Sequence, residues 1–350
     1  MSKYSPHIYE PDKSIEVFKK TEYFLEKNKN LKNKVEELGW VYYNIGKTIP
    51  QTTENFWSGH FFPFMESWDE LQISFNLAMF GLYKQAYVSL RSALELGLLS
   101  IYYNINDDGH NTVKSWLKSK DTWEANTPRI NTIWNILESN NNISNFNKEF
   151  DFRARFDKLS FLHNYVHTKG VKYSNKLGKL KSNYQTFESQ VFTEWLQTYE
   201  EIVVIILTLH LLKYPIGIIE YEWDKKCGID NPFPVLEKYE IKKIKKLLPK
   251  DYIDAIKRIA KTDEPTQHFY KYLERLPDMT EIDRENQIIN LDKIWIEHHP
   301  NGFIGWEKEE KNKLKLFHEN DRERILSRIK VLRKWAKENN LMAPKKIPYT

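Results

Sequence analysis

Apolar residues recur at spacings of three and four along most of this chain, and no stretch alternates apolar and polar positions between hairpin dipeptides. The most regular stripe is Ala86, Leu90, Ala93, Leu94, Gly97, Leu98 and Ile101. Its small residues let a neighbour approach closely, which predicts the central helix of a bundle. An opening helix is predicted over 12–45, with irregular spacing near Asn28 to Asn33. An aromatic-rich connection, Phe56 to Phe64, follows, with Pro63 suited to a first helical turn. From there to Tyr103 the pattern fits one long helix or two broken near Gly81. Further helices are predicted at 111–119, 128–138, 149–167 and 187–213, and the Asn140 to Asn142 run reads as a loop. Beyond Pro215 and the Gly228 to Pro232 stretch come 236–248, 250–261, 265–275, 281–297 and 307–339. The expectation is an all-α protein: a helical bundle over 1–225, then a basic helical region over 226–350.

Composition narrows the class further. In 350 residues there are 11 Trp, 20 Tyr and 19 Phe but only 12 Gly and 14 Pro, which suits a packed helical core and not a disordered or turn-rich chain. A single cysteine, Cys227, excludes an internal disulfide and a multi-cysteine zinc site. The most apolar stretch, Ile202 to Leu212, is shorter than the roughly 20 residues of a bilayer span and holds His210, so it reads as a core helix. The N-terminal MSKYSPHIYEPDK has no apolar stretch after its first positive charge, and the expected location is cytoplasmic, with no membrane partner. The net charge of +5 is unevenly placed: residues 226–350 carry 27 Lys and Arg against 21 Asp and Glu. A local basic excess suits phosphate backbones or an acidic protein, or is a solvated surface.

Two segments concentrate chemistry. Arg91 and Glu95, one helical turn apart, are set among the apolar residues of the central stripe. Burial would demand that they pair, so they are either an internal ion pair or an arginine oriented toward a phosphate. His163 and His167 share one face of the helix predicted at 149–167, just ahead of Lys169 and Gly170. That spacing suits an acid and a base acting on a phosphate ester, or plain hydrogen bonding. The zinc-protease pattern needs Glu after the first His, where Asn164 stands, and no metal or other cofactor is expected.

An Ala-x(4)-Arg-x(3)-Glu helix at Ala86, Arg91 and Glu95 precedes, by about seventy residues, a helix ending Leu-His-Asn-Tyr-Val-His-Thr. The arrangement, over about residues 60–213, resembles bacterial helical proteins related to the HEPN superfamily. That superfamily includes metal-independent ribonucleases of toxin–antitoxin and anti-phage systems alongside non-catalytic RNA-binding modules. The resemblance implies a dimer-prone bundle, a homodimer, with an Arg and a His at a shared cleft. Catalytic members place Arg before His with four to six residues between; here Arg155 and Arg153 precede His163 with seven and nine. Arg91 is therefore the expected arginine, supplied from another helix.

The C-terminal region adds an amphipathic basic run with Lys242, Lys243, Lys245 and Lys246 around Ile241, Ile244, Leu247 and Leu248. A second basic helix carries Arg324, Arg328 and Arg333, with Trp335 for packing or stacking. Together with Lys169 these are the candidate nucleic-acid contacts. The turn Glu297 to Trp306, with His298 and His299, reads as a binding loop or a tight turn. No phosphate loop, dinucleotide fingerprint, nucleophile elbow or kinase signature is present. Two expectations follow: an RNA- or DNA-associated defence or stress protein, an endoribonuclease using Arg91, Glu95, His163 and His167, or a non-enzymatic helical adaptor for another protein.

Overall fold

A computed structural model describes residues 11–50, 59–106, 110–118, 127–174, 186–228 and 235–343 of the chain. Among them there is no strand, and the protein is all-α. Residues 56–58 of the aromatic connection, residue 119 of the helix expected at 111–119, and residues 229–232 of the expected boundary lie outside the described residues.

The chain divides into two compact units. The first takes Met1–Tyr221 with Phe233–Tyr272, and the second takes Glu222–Pro232 with Leu273–Thr350. This differs from a single cut near 225, and the reason is burial. Ile241, Ile244, Leu248, Tyr252, Ile253 and Ile256 are buried in the core of the first unit. Tyr252 stands edge-on to Phe146 and Phe150, each at 4.9 Å.

The first unit begins with α1 (Pro11–Lys27) and α2 (Lys29–Ile45). The single helix expected over 12–45 is broken at Asn28, whose side-chain amide donates to the carbonyl of Phe24 at 2.7 Å and competes with helical continuation. The long segment that follows is two helices, α3 (Phe62–Met79) and α4 (Tyr83–Asn106), forming a hairpin. Gly81 makes the turn with φ +73°, and a Cβ there would lie 2.6 Å from the Thr186 carbonyl oxygen, so glycine is required twice over.

Short helices follow: α5 (Asn111–Leu117), α6 (Ile130–Leu137), α7 (Asn141–Phe150), α8 (Phe152–Asp157) and α9 (Leu162–Val166). Asn140 to Asn142, expected as a loop, instead starts α7: the Asn140 side chain accepts from the backbone N–H groups of Asn142 and Ile143. The helix expected over 149–167 is interrupted by Asp151, in left-handed backbone geometry, and by a tight 3₁₀ turn at Lys158–Phe161.

Helix α10 (Ser189–Lys213) is long and apolar enough to cross a membrane, yet 83% of its most apolar window is buried inside the protein. It packs against α4 and α2. The predicted stripe explains the closeness: a Cβ on Gly97 would meet Ile206 at 2.8 Å. His210 is fully buried in this layer, its Nε2 3.3 Å from Ser100 Oγ and its ring edge-on to Phe64. Burial pushes its pKa down to about 3, so it is neutral. The unit is completed by a 3₁₀ turn at Pro215–Ile218, α12 (Lys238–Leu247), α13 (Lys250–Thr262) and the part of α14 (Glu264–Arg275) up to Tyr272.

The second unit holds α11 (Trp223–Cys227), α15 (Glu281–His298), α16 (Gly302–Lys313) and α17 (Glu319–Glu338) around Ile296, Phe303, Trp306, Ile329 and Leu332. The helix expected over 307–339 is two helices with a break at 314–318. The stretch read as a turn, Glu297 to Trp306, instead launches α16 at Gly302, where φ is +56° and a Cβ would lie 2.6 Å from the Leu341 carbonyl oxygen.

Candidate functional site

Helix α4 buries one face in the bundle and leaves Lys84, Arg91 and Glu95 off that face at helical spacing. Arg91 Nη2 donates to Glu95 Oε1 at 2.7 Å. The two side chains are 25% and 41% exposed, so this is an ion pair at the rim of the core and not the buried pair that the surrounding apolar sequence suggests. A guanidinium held by one carboxylate and still open to water keeps donors for a second anion.

Helix α9 lies against α4. An aromatic layer fixes the contact. Tyr165 stacks on Tyr87 with ring centroids 4.6 Å apart, and Tyr173 meets Tyr165 edge-on at 4.9 Å. Burial pushes the Tyr165 phenol up to about 12, with the negative charge tendencies of Tyr173 and Glu194 adding to it. Tyr87 is pushed up likewise by burial, and these two stacked rings serve as packing. Lys84 Nζ donates to Thr168 Oγ1 at 2.8 Å, tying α4 to the turn that ends α9. Thr168 has φ +46°, and the Lys169 amide closes the turn by donating to the Asn164 carbonyl at 3.0 Å.

This packing brings the two separate sequence features together. His163 and His167 lie side by side, ring centroids 4.2 Å apart and planes inclined by 53°. His163 is half-buried and His167 is exposed. The His163 pKa is held below the usual imidazole value, first by partial burial and then by His167, Lys169 and Arg91, with Glu95 acting against them. Arg91 and Glu95 are thus within electrostatic reach of His163, although they stand on a different helix. Of the four residues expected to carry chemistry, the two histidines lie side by side and the Arg91–Glu95 pair acts electrostatically on His163, with Lys169 adding positive charge.

The arginines that precede His163 on its own segment are engaged elsewhere. Arg155 makes a two-pronged pair with Glu201, one prong at 2.8 Å, and lies over the Tyr252 ring. Arg153 pairs with Asp157 at 3.0 Å and covers Trp134.

The basic candidates of the C-terminal region are also largely engaged. Lys243 Nζ sits 3.8 Å from the centroid of the Trp40 ring, Lys245 pairs with Glu220, and Lys246 reaches Glu37 at 3.4 Å. Lys242 is exposed and makes no ion pair among the described residues. In the second unit Arg324 lies 3.6 Å from Glu285, and Arg333 pairs with Glu307. Arg328 Nε lies 2.7 Å from Asp292 Oδ2, with its N–H not aimed at that oxygen, and Arg328 Nη2 lies 3.6 Å from Glu310. Lys245, Lys246, Arg328 and Arg333 thus have their charge already answered by a carboxylate of the chain. His299 is held between the Asn301 amide and Glu309, and His298 bonds the Ile294 carbonyl. Among the described residues no group of three or more His, Cys, Asp or Glu side chains gathers in a way that could hold a metal ion.

Sequence reasoning missed Lys84, Thr168 and the three tyrosines under the histidines. The signal for Lys84 was its spacing: it stands two turns before Arg91, on the same side of α4. In comparisons with known proteins, no protein family, no curated protein and no solved structure matches this chain.

Proposed function

We propose that the cluster of Arg91, Glu95, His163 and His167 is a metal-independent phosphodiester-cleaving site, and that the protein is a HEPN-like, RNA-directed bacterial defence or stress protein. The observation that carries this reading is the meeting of the histidine pair with the Arg91–Glu95 pair at a solvent-open rim. His163 is held below the usual imidazole value by partial burial and by the positive charges around it, which favours its neutral, proton-accepting form. His163, the more buried, is the base that takes the proton of a ribose 2′-hydroxyl as its oxygen attacks phosphorus. His167 is the acid that gives a proton to the departing 5′-oxygen, leaving a 2′,3′-cyclic phosphate. Arg91, oriented by Glu95, holds the non-bridging oxygens, and Lys84 and Lys169 add attraction for the backbone.

The test is incubation of labelled single-stranded RNA with the purified protein in a chelator. Cleavage is expected, with products ending in cyclic phosphate, and is lost in His163→Ala and His167→Ala proteins that melt like the parent. Absence of cleavage by the parent protein overturns the reading.

A second reading has its own support. Most candidate cations of the C-terminal region are paired internally, while Ile282, Ile294, Trp295, Ile304, Leu316 and Val331 are exposed on the second unit. Such a surface suits a non-enzymatic adaptor that binds another protein. On that reading His167→Ala is silent in a cellular assay, and Trp295→Ser abolishes function.

A further inference from the structure

Away from the histidine cluster, the first unit has a hollow of about 350 Å³ beside the 3₁₀ turn at Pro215–Ile218. It is lined by Ile218, Ile219, Ala260, Lys257, Lys261, Gln267 and Tyr270. The size lies within the range of small-ligand sites, roughly 300–1,000 Å³. Its interior and its rim differ in chemistry. Ile218 and Ala260 are buried and Ile219 is half-buried, which gives an apolar floor. Tyr270 forms one wall, its ring braced edge-on by Tyr221 at 5.5 Å, and Gln267 is anchored by its amide nitrogen to the Ala260 carbonyl at 2.8 Å.

The rim is cationic. Lys257 and Lys261 are one turn apart on α13, both exposed, and neither pairs with a carboxylate among the described residues. Lys245 stands beside Lys257 and is disfavoured as a cation by partial burial and by that neighbour. Glu220 answers Lys245, and among the described residues no carboxylate pairs with Lys257 or Lys261. Nearby on α12 and α13, by contrast, Lys246 reaches Glu37 and Arg258 pairs with Glu149. Two unmatched ammonium groups at the lip of an apolar hollow favour a ligand with an anionic head and an apolar body.

We propose that this hollow binds a small amphipathic anion, a carboxylate or sulfonate with an aliphatic or aromatic body. The body lies against Ile218, Ile219 and Ala260, and the head meets Lys257 and Lys261. The site is separate from the histidine cluster and does not depend on the activity proposed for it.

The test uses anilinonaphthalene sulfonate, whose fluorescence rises in an apolar site, titrated into the full-length protein. One saturable site per chain is expected, displaced by decanoate and not by decylammonium, which has the same chain and the opposite charge. Reversing the rim with Lys257→Glu and Lys261→Glu together should weaken binding about tenfold or more, equivalent to at least about 1.4 kcal/mol. Filling the half-buried floor with Ile219→Trp should block it independently. Thermal melts of both variants verify folding. No saturable binding by the parent, or binding unchanged by either variant, overturns the proposal.

Discussion

Arg91 Nη2 and Glu95 Oε1 stand 2.7 Å apart at the edge of a helix whose next turn carries a glycine pressed against Ile206. The pair and the glycine occupy one helix but do opposite work: Gly97 lets α4 and α10 close, while the ion pair looks outward. Their mutational responses should therefore differ in kind.

Replacing Arg91 with alanine should lower stability by less than about 1 kcal/mol, because a pair this exposed is screened by water. Gly97→Val should cost more, roughly 1–3 kcal/mol, since its side chain must displace Ile206 and crowd the Tyr42 hydroxyl. Urea denaturation of the two variants checks the order; a larger loss for Arg91→Ala would mean that the pair is part of the core.

His163 should titrate below the usual imidazole value when followed by NMR. Removing a nearby positive charge with Arg91→Gln should raise its midpoint, and removing the opposing negative charge with Glu95→Gln should lower it. If neither substitution moves the midpoint, the two pairs are not electrostatically coupled.

His210 makes the first unit sensitive to acid. Between about pH 6.5 and pH 3 the unfolded chain takes up a proton at this residue that the folded chain refuses. Stability from this source is complete above pH 6.5 and falls as the pH drops, by about 1.4 kcal/mol for each unit. His210→Leu should flatten this acid limb, measured by hydrogen exchange of α10 amides across the pH range.

Asp292 gives the second unit the opposite slope. Burial raises its carboxyl to about 6 against an ordinary 3.8, with Arg328 opposing the shift and Glu310 reinforcing it. Between those values the folded chain holds a proton that the unfolded chain has lost, so stability is full below pH 3.8 and declines as the pH rises toward 6. Asp292→Asn should remove that slope in amide exchange on α17. Arg328→Met should destabilise this unit by roughly 2–4 kcal/mol, since it leaves Asp292 and Glu310 facing each other with little water.

Much of this architecture was legible from local pattern. The stripe from Ala86 to Ile101 predicted a closely packed central helix, and Gly81 marked its start. What escaped were breaks set by single polar side chains or by tertiary packing: Asn28 bonding Phe24, Asn140 capping a helix that its composition disguised, and Asp151 turning left-handed between Phe150 and Phe152. Apolar periodicity cannot register these, because the core residues on either side keep their spacing. At the candidate site the residue types were readable and their partners were not. Nothing near Arg155 in sequence reveals that Glu201 occupies it, and nothing near Lys243 reveals Trp40. Pairings across 46 and 203 positions are products of the fold.

The chain leaves the first unit at Tyr221 and re-enters it at Phe233, so neither unit is a contiguous stretch of sequence. The aromatic patch of Phe146, Phe150 and Phe152 is therefore completed only by Tyr252, about a hundred residues further along the chain. Likewise the second unit begins with a short loan from the middle of the chain: Lys225 and Cys227 offer carbonyls to the Met279 amide and the Gln287 side chain, made some fifty residues later. No single proteolytic cut or gene truncation between the two separates them cleanly, and a fragment ending near 225 would emerge with an oily wound in place of α12 and α13.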